Sequence, residues 1–156
     1  AGGAVLARII SKGLGANPHF VINENHQQPT ISSCRALGIP VLKPCDKKRS
    51  GSATMLDFPI KFEDAEYRAV EILQQYQPKA AIAIETMSPN PKGIIHSASG
   101  AAISNNEVEG AYFHIPLQAS KQGIYTVGIG DAGNEFGMGR IYSTIKEFHP
   151  AGSICR

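Results

Sequence analysis

The chain has no tryptophan and only three cysteines, Cys34, Cys45 and Cys155, among 156 residues. Their odd number and wide spacing fit neither a disulfide framework nor a CxxC zinc site, so a reducing, intracellular compartment is expected. Charge is also scarce, at 18% of residues with a formal net charge of +2. That balance gives no argument for nucleic acid, and the one basic cluster, Lys47-Lys48-Arg49, reads as a solvated loop. No apolar run approaches the ~20 residues of a membrane span, and no secretory leader pattern opens the chain. Gly-x-Ser-x-Gly elbows, Walker loops and His-Glu-x-x-His helices are missing as well.

What is present is a globular composition, 42% hydrophobic, in a length that suits one domain spanning residues 1–156 and buries roughly 70% of the unfolded surface. The chain opens at Ala1-Gly2-Gly3 without Met and stops at Ser153-Ile154-Cys155-Arg156, where another strand begins to form, so a fragment of a longer chain is expected. Val5, Leu6, Ile9, Ile10 and Leu14 recur at helical spacing, and Gly15 offers a left-handed cap. Phe20-Val21-Ile22 reads as a buried strand. Pro29 suits the first turn of a helix that carries Ile31, Cys34 and Leu37 and ends at Gly38. Ile39-Pro40-Val41-Leu42 reads as a strand that Pro40 places at a strand start or an edge.

Residues 46–57 read as a mobile loop leading to Phe58-Pro59-Ile60. Glu63 and Asp64 favour a helix start, Val70, Leu73 and Tyr76 give its inner stripe, and Pro78 stops it. Ala80-Ala81-Ile82-Ala83-Ile84 reads as a central parallel strand, apolar on both faces. An irregular stretch with Pro89, Pro91, Gly93 and Gly100 follows. A helix near residues 114–122 precedes the strand Ile124-Tyr125-Thr126-Val127-Gly128-Ile129, after which a glycine-rich turn is expected to feed a helix running to about Phe148. This alternation predicts an α/β fold with a mostly parallel sheet and helices on both faces.

The strand readings end in acids: Glu24, Asp46, Glu85 and Asp131. Parallel strands present their carboxyl ends along one edge, where ligands of α/β proteins bind. Carboxylates gathered there repel unless a cation or a substrate ammonium joins them. Glu85 and Asp131, on the most central strands, are the pair expected to meet. Gly128, Gly130 and Gly133 satisfy G-x-G-x-x-G between strand and helix, but Asp131 would face a dinucleotide's pyrophosphate, so no nicotinamide is expected. Glycine freedom and a helix N-terminus offering amides to an anion form the alternative, with Asp131 and Glu135 holding a cation or ammonium and Asn134 supplying a donor and an acceptor. A tight turn capped by Asp131 is the plain structural reading. Gly137 and Gly139, at about 1 kcal/mol each in an exposed helix interior, suggest close packing or a ligand. His96, beside Ser97 and Ser99, is a candidate base or metal ligand, or simply an exposed loop histidine. His114 caps or packs, and His19, His26 and His149 read as surface residues.

The run Gly128-Ile129-Gly130-Asp131-Ala132-Gly133-Asn134-Glu135-Phe136-Gly137-Met138-Gly139 resembles a motif of the D-glutamate cyclase-like C-terminal domain family. Ile84-Glu85-Thr86 is similar to that family's strand-end glutamate motif, although arginine is commoner where Thr86 stands. Gly93-Ile94-Ile95-His96 and Gly100-Ala101-Ala102-Ile103 are similar to the loop that follows. Ala132 replaces a usual glycine, and the family's Ser-Asn-Trp-Gly segment has no counterpart. The resemblance implies cyclisation of D-glutamate to 5-oxo-D-proline with loss of water, in the mitochondrial matrix or cytoplasm, with D-glutamate as the small-molecule partner. A homo-oligomer is compatible with the sequence; neither nucleic acid nor a membrane is expected.

On this reading Glu85, Asp131, Glu135 and His96 are the catalytic candidates. Gly130, Gly133, Asn134 and Gly137 bind substrate, and Glu85, Asp131 and Glu135 are candidate ligands for a divalent cation, Mn²⁺ or Mg²⁺. Amides of Gly133-Asn134-Glu135, or the cation, would stabilise the tetrahedral oxyanion. Two other readings use the same parts: a metal-dependent phosphatase or other hydrolase, and a non-catalytic ligand-binding domain.

Overall fold

The computed structural model describes residues 1–105, 108 and 110–149. The end of the chain, where a further strand was expected, lies outside them. The backbone divides into two units, Ala1–Phe58 and Pro59–Arg156.

The first unit holds helix α1 (Gly2–Gly13), strand β1 (His19–Val21), helix α2 (Gln27–Ala36) and strands β2 (Val41–Leu42) and β3 (Ala53–Leu56). Its sheet is parallel, with β3 between β1 and β2. Pro40 lies just before the edge strand β2, and its carbonyl accepts from the Ala53 amide at 2.9 Å, a place where a missing donor costs nothing. Helix α1 ends beside Gly15, whose φ is +64°, and α2 beside Gly38 at +67°, as the glycines predict. Lys47, Lys48 and Arg49 are exposed.

Three readings need correction here. A strand lies at Ala53–Leu56, inside the stretch that reads as a mobile loop. All four of its residues are buried, because it is flanked on both sides, and Phe58 seals the unit at 1% exposure. Helix α1 packs through Ala4, Ala7 and Ser11, while Val5, Ile9 and Leu14 stay exposed. The small side chains let its backbone close on Cys34, Ile39 and Ala53, which form the core with it; packing geometry outweighs side-chain size here. His19, expected at the surface, is half-buried in β1, and burial first, then Lys48, hold its pKa below the ordinary value.

The second unit runs α3 (Phe62–Tyr76), β4 (Ala80–Ile84), β5 (Ile95–His96), β6 (Ala102–Ile103), α4 (His114–Lys121), β7 (Tyr125–Ile129), a 3-10 turn (Met138–Ile141) and α5 (Tyr142–Phe148). Glu63 and Asp64 occupy the first turn of α3, where carboxylates complement the helix dipole. Gln77, in the left-handed region, closes the helix one residue before Pro78. Strands β4 and β7 pair in parallel, with Ala80 opposite Tyr125 and Ile84 opposite Ile129. Beneath them Leu73, Ala81 and Ala119 form a core bordered by Ile115 and Ile124.

Strand β4 alternates instead of being buried throughout: Ala81 and Ala83 point inward, and Ala80 and Ile82 are exposed. The irregular stretch contains a short antiparallel pair, β5 with β6. The turn after β7 does not open a helix directly. Gly137 precedes a 3-10 turn, Gly139 lies within it, and α5 begins only at Tyr142. Among the described residues, no helix is long and apolar enough to cross a membrane.

Candidate functional site at the carboxyl edge of the β4–β7 pair

The parallel pairing of β4 and β7 releases both chains at one edge. Pairing continues one residue further, where the Glu85 amide donates to the Ile129 carbonyl at 2.8 Å. There Glu85 turns into the left-handed region at φ +51°, which is uncommon for a residue bearing a Cβ. The chain beyond Ile129 loops out and returns beside the residues following Glu85. Phe136 N donates to Thr86 O at 2.8 Å, Ser88 N donates to Asn134 O at 3.0 Å, and Met87 and Glu135 form an antiparallel bridge. The two loops are thus tied to one another by backbone hydrogen bonds.

The glycines make this return possible. A Cβ on Gly128 would stand 2.0 Å from the Phe136 carbonyl oxygen, and one on Gly130 would stand 2.6 Å from Glu135 Cδ. Gly133 needs its positive φ of +86° and packs under Ile145. Gly137, at φ +92°, lies against Gly128. The G-x-G-x-x-G spacing therefore serves a backbone that doubles back on itself. Gly130 and Gly137, expected to bind substrate, are the places where the chain touches its own atoms.

Glu135 is 5% exposed and reaches back under the turn. Its Oε1 accepts the amides of Asp131 at 3.1 Å and Ala132 at 3.0 Å. Burial alone would raise the pKa of this carboxyl, but the backbone amides of Ala132, Asp131, Glu135 itself and Gly133 outweigh it and hold the value below the ordinary carboxylate range. The amides of Asp131 and Ala132 are thus turned on the chain's own carboxylate. Glu135 Oε2 is buried without a hydrogen-bond partner.

Oxygens of Glu85, Asp131 and Glu135 lie within 4.8 Å of one another. Glu85 and Asp131 are exposed, and Glu135 is buried. Loss of hydration, then the charges of Asp131 and Glu135 and a hydrogen bond with Asp131, raise the Glu85 pKa above its usual value. Asn134 is 9% exposed. Its Nδ2 donates to the His96 carbonyl at 2.7 Å, and its Oδ1 is buried without a partner. His96 is buried in β5, not exposed on a loop, and it is not among the carboxylate group. Its backbone, through Asn134, braces the turn. Of the other strand-end acids, Glu24 opens a 3-10 turn and Asp46 accepts the Lys43 amide at 2.7 Å; both belong to the first unit.

An open cavity of about 430 Å³, lined by residues including Lys79 and Ile124, lies at the opposite, amino end of the β4–β7 pair. It holds no cluster of titratable groups, and the concentration of charge at the carboxyl edge makes that edge the candidate site. Sequence reasoning missed the bracing role of Thr86, Ser88 and the His96 carbonyl. These are backbone contacts between distant segments, and side-chain type does not announce them.

A comparison with curated proteins finds no match. A family model described as D-glutamate cyclase-like, C-terminal, matches residues 1–156, and the chain belongs to that family.

Proposed function

We propose that this chain carries an acid–base site for cyclising D-glutamate to 5-oxo-D-proline with loss of water. The observation that supports the reading best is the convergence of Glu85, Asp131 and Glu135, with oxygens within 4.8 Å of one another, at the carboxyl edge of β4 and β7. Membership of the D-glutamate cyclase-like family supports the choice of substrate.

The chemistry sets out what the acids must do. The substrate ammonium gives up two protons overall, its nitrogen bonds to the γ-carboxyl carbon, and the departing oxygen takes both protons as water. Exposed carboxylates at the edge attract the ammonium and hold the amine near the chain's reactive groups, which supplies proximity. Glu85 accepts the two protons of the nitrogen in turn and returns each to the leaving oxygen, and Asp131 steadies the amine. Asn134, with an acceptor oxygen to spare, orients the substrate.

The test is direct. The chain is incubated with D-glutamate or L-glutamate, and 5-oxoproline is followed by chiral chromatography. D-glutamate is expected to be consumed, and Glu85→Gln and Asp131→Asn each lower kcat by on the order of 10²-fold or more with little change in Tm. Full activity in either variant refutes the assigned roles. A metal-dependent phosphatase would use the same three carboxylates, and phosphate release from a simple ester only with Mn²⁺ present would favour it instead.

A further inference from the structure

We infer that Glu85, Asp131 and Glu135 together bind one hard divalent cation, with Glu135 Oε2 as its anchoring oxygen. The inference rests on the proposed function in placing the working site at this edge, and it names what neutralises that site between turnovers.

Two independent observations lead to it. The first is spacing. Around an ion with oxygen ligands at 2.0–2.6 Å, neighbouring ligand oxygens lie roughly 3 to 5 Å apart; the three carboxylates here offer oxygens within 4.8 Å of one another. The second is the unsatisfied oxygen. Glu135 is 5% exposed, its Oε1 is fully engaged by two amides, and its Oε2 is buried with no donor. A buried carboxylate oxygen left unpaired is costly, and a cation at the cluster removes that cost.

Among the described residues, Arg68 pairs with Glu71 and Lys121 with Glu66, away from the three acids. A substrate ammonium departs with every turnover and leaves three like charges facing each other. A resident ion does not. The donor set consists only of carboxylate oxygen, without thiolate or imidazole, which selects Mg²⁺, Mn²⁺ or Ca²⁺ over zinc or copper.

The experiment uses the purified chain and MnCl₂ without substrate, reading free Mn²⁺ by electron paramagnetic resonance and Tm by calorimetry. One Mn²⁺ per chain is expected, with Tm rising by roughly 5 °C at a hundredfold excess over Kd. Asp131→Asn, at an exposed position, and Glu135→Gln, which keeps an oxygen for the two amides, each weaken binding at least tenfold. Glu24→Gln, exposed in the first unit, leaves it unchanged. Absence of stoichiometric binding to the folded chain, or undiminished binding in both site variants, overturns the inference. Product formed from D-glutamate by a chain that fails to bind Mn²⁺ overturns the inference and leaves the cyclase reading standing. Mn²⁺ binding with no turnover of D-glutamate supports the cation site and sinks the cyclase reading.

Discussion

Glu135 and Gly130 share a space that only a missing side chain leaves open: a methyl on Gly130 would stand 2.6 Å from Glu135 Cδ and 2.8 Å from its Cβ. Gly130→Ala therefore has to push the Glu135 side chain off its two amides. Because that side chain can partly yield, the expected loss is about 1–3 kcal/mol of stability, with cyclisation and Mn²⁺ binding falling together. Gly128→Ala meets the Phe136 carbonyl at 2.0 Å, and backbone held by the Thr86 bond cannot yield as a side chain does. Its loss should exceed ~3 kcal/mol. Urea unfolding of the two variants checks the order; an equal or reversed ranking contradicts the close-approach account of these glycines.

Glu85 carries its carboxylate on a backbone bent to φ +51°, in a region that favours glycine. Glu85→Gly relieves that conformation and also removes one of three converging like charges. The variant is expected to melt at or above the wild-type Tm while losing cyclisation. Glu85→Ala keeps the Cβ in the same unfavourable region and should melt below Glu85→Gly. A Tm for the glycine variant several degrees under wild type would mean that the bend is not strained, and the argument for a residue held there by function would lapse.

How much of this edge was legible depends on the range over which each feature is decided. Strands β4 and β7 announced themselves through short apolar runs bounded by Pro78 and by the glycine turn. The acids after them were legible because parallel strands share an edge. Strand β3 was not: Ala53-Thr54-Met55-Leu56 lies among serines and glycines, and it is a strand because β1 and β2 flank it. The turn after β7 misled for the same reason. G-x-G-x-x-G reads identically before a helix and before a chain that returns, and the choice is made by the bridge between Met87 and Glu135, some 50 residues apart in sequence. The folding of Glu135 onto the Asp131 and Ala132 amides follows from that return, so its role as an internal anion was beyond sequence pattern.

His114 gives the second unit a pH dependence whose sign can be worked out. Its ring stacks on Phe113 with centroids 4.3 Å apart and meets Phe62 edge-on at 6.0 Å, and its Nδ1 is buried without a partner. Burial first, opposed by Glu66 and aided by Lys121, lowers its pKa from the ordinary value of 6.5. Below 6.5 the unfolded imidazole takes a proton that the folded one resists, so unfolding takes up protons there. The contribution is full above pH 6.5 and is lost as pH falls from that value through the lower folded pKa. His114→Phe keeps the ring stack and removes the proton. Between about pH 7 and about pH 5 its Tm should fall less than the wild type's; parallel Tm profiles would show that the ring titrates normally in the fold.

Asn134 supports the site from behind, and its two ends predict different outcomes. Its Nδ2 holds the His96 carbonyl at 2.7 Å, while its Oδ1 has no partner among the described residues. Asn134→Asp removes the donor, sets a carboxylate against the His96 carbonyl and adds a fourth acid to a cluster of three. It should cost more stability than Asn134→Ala, which leaves the carbonyl unpaired at about 1–3 kcal/mol. If Oδ1 receives a substrate donor, Asn134→Ala also raises KM for D-glutamate at nearly constant kcat, since uniform binding is what it removes. A fall in kcat with KM unchanged would place Asn134 with the groups that shape the transition state, and bracing by the β5–β6 hairpin would then be the means by which the fold controls the rate.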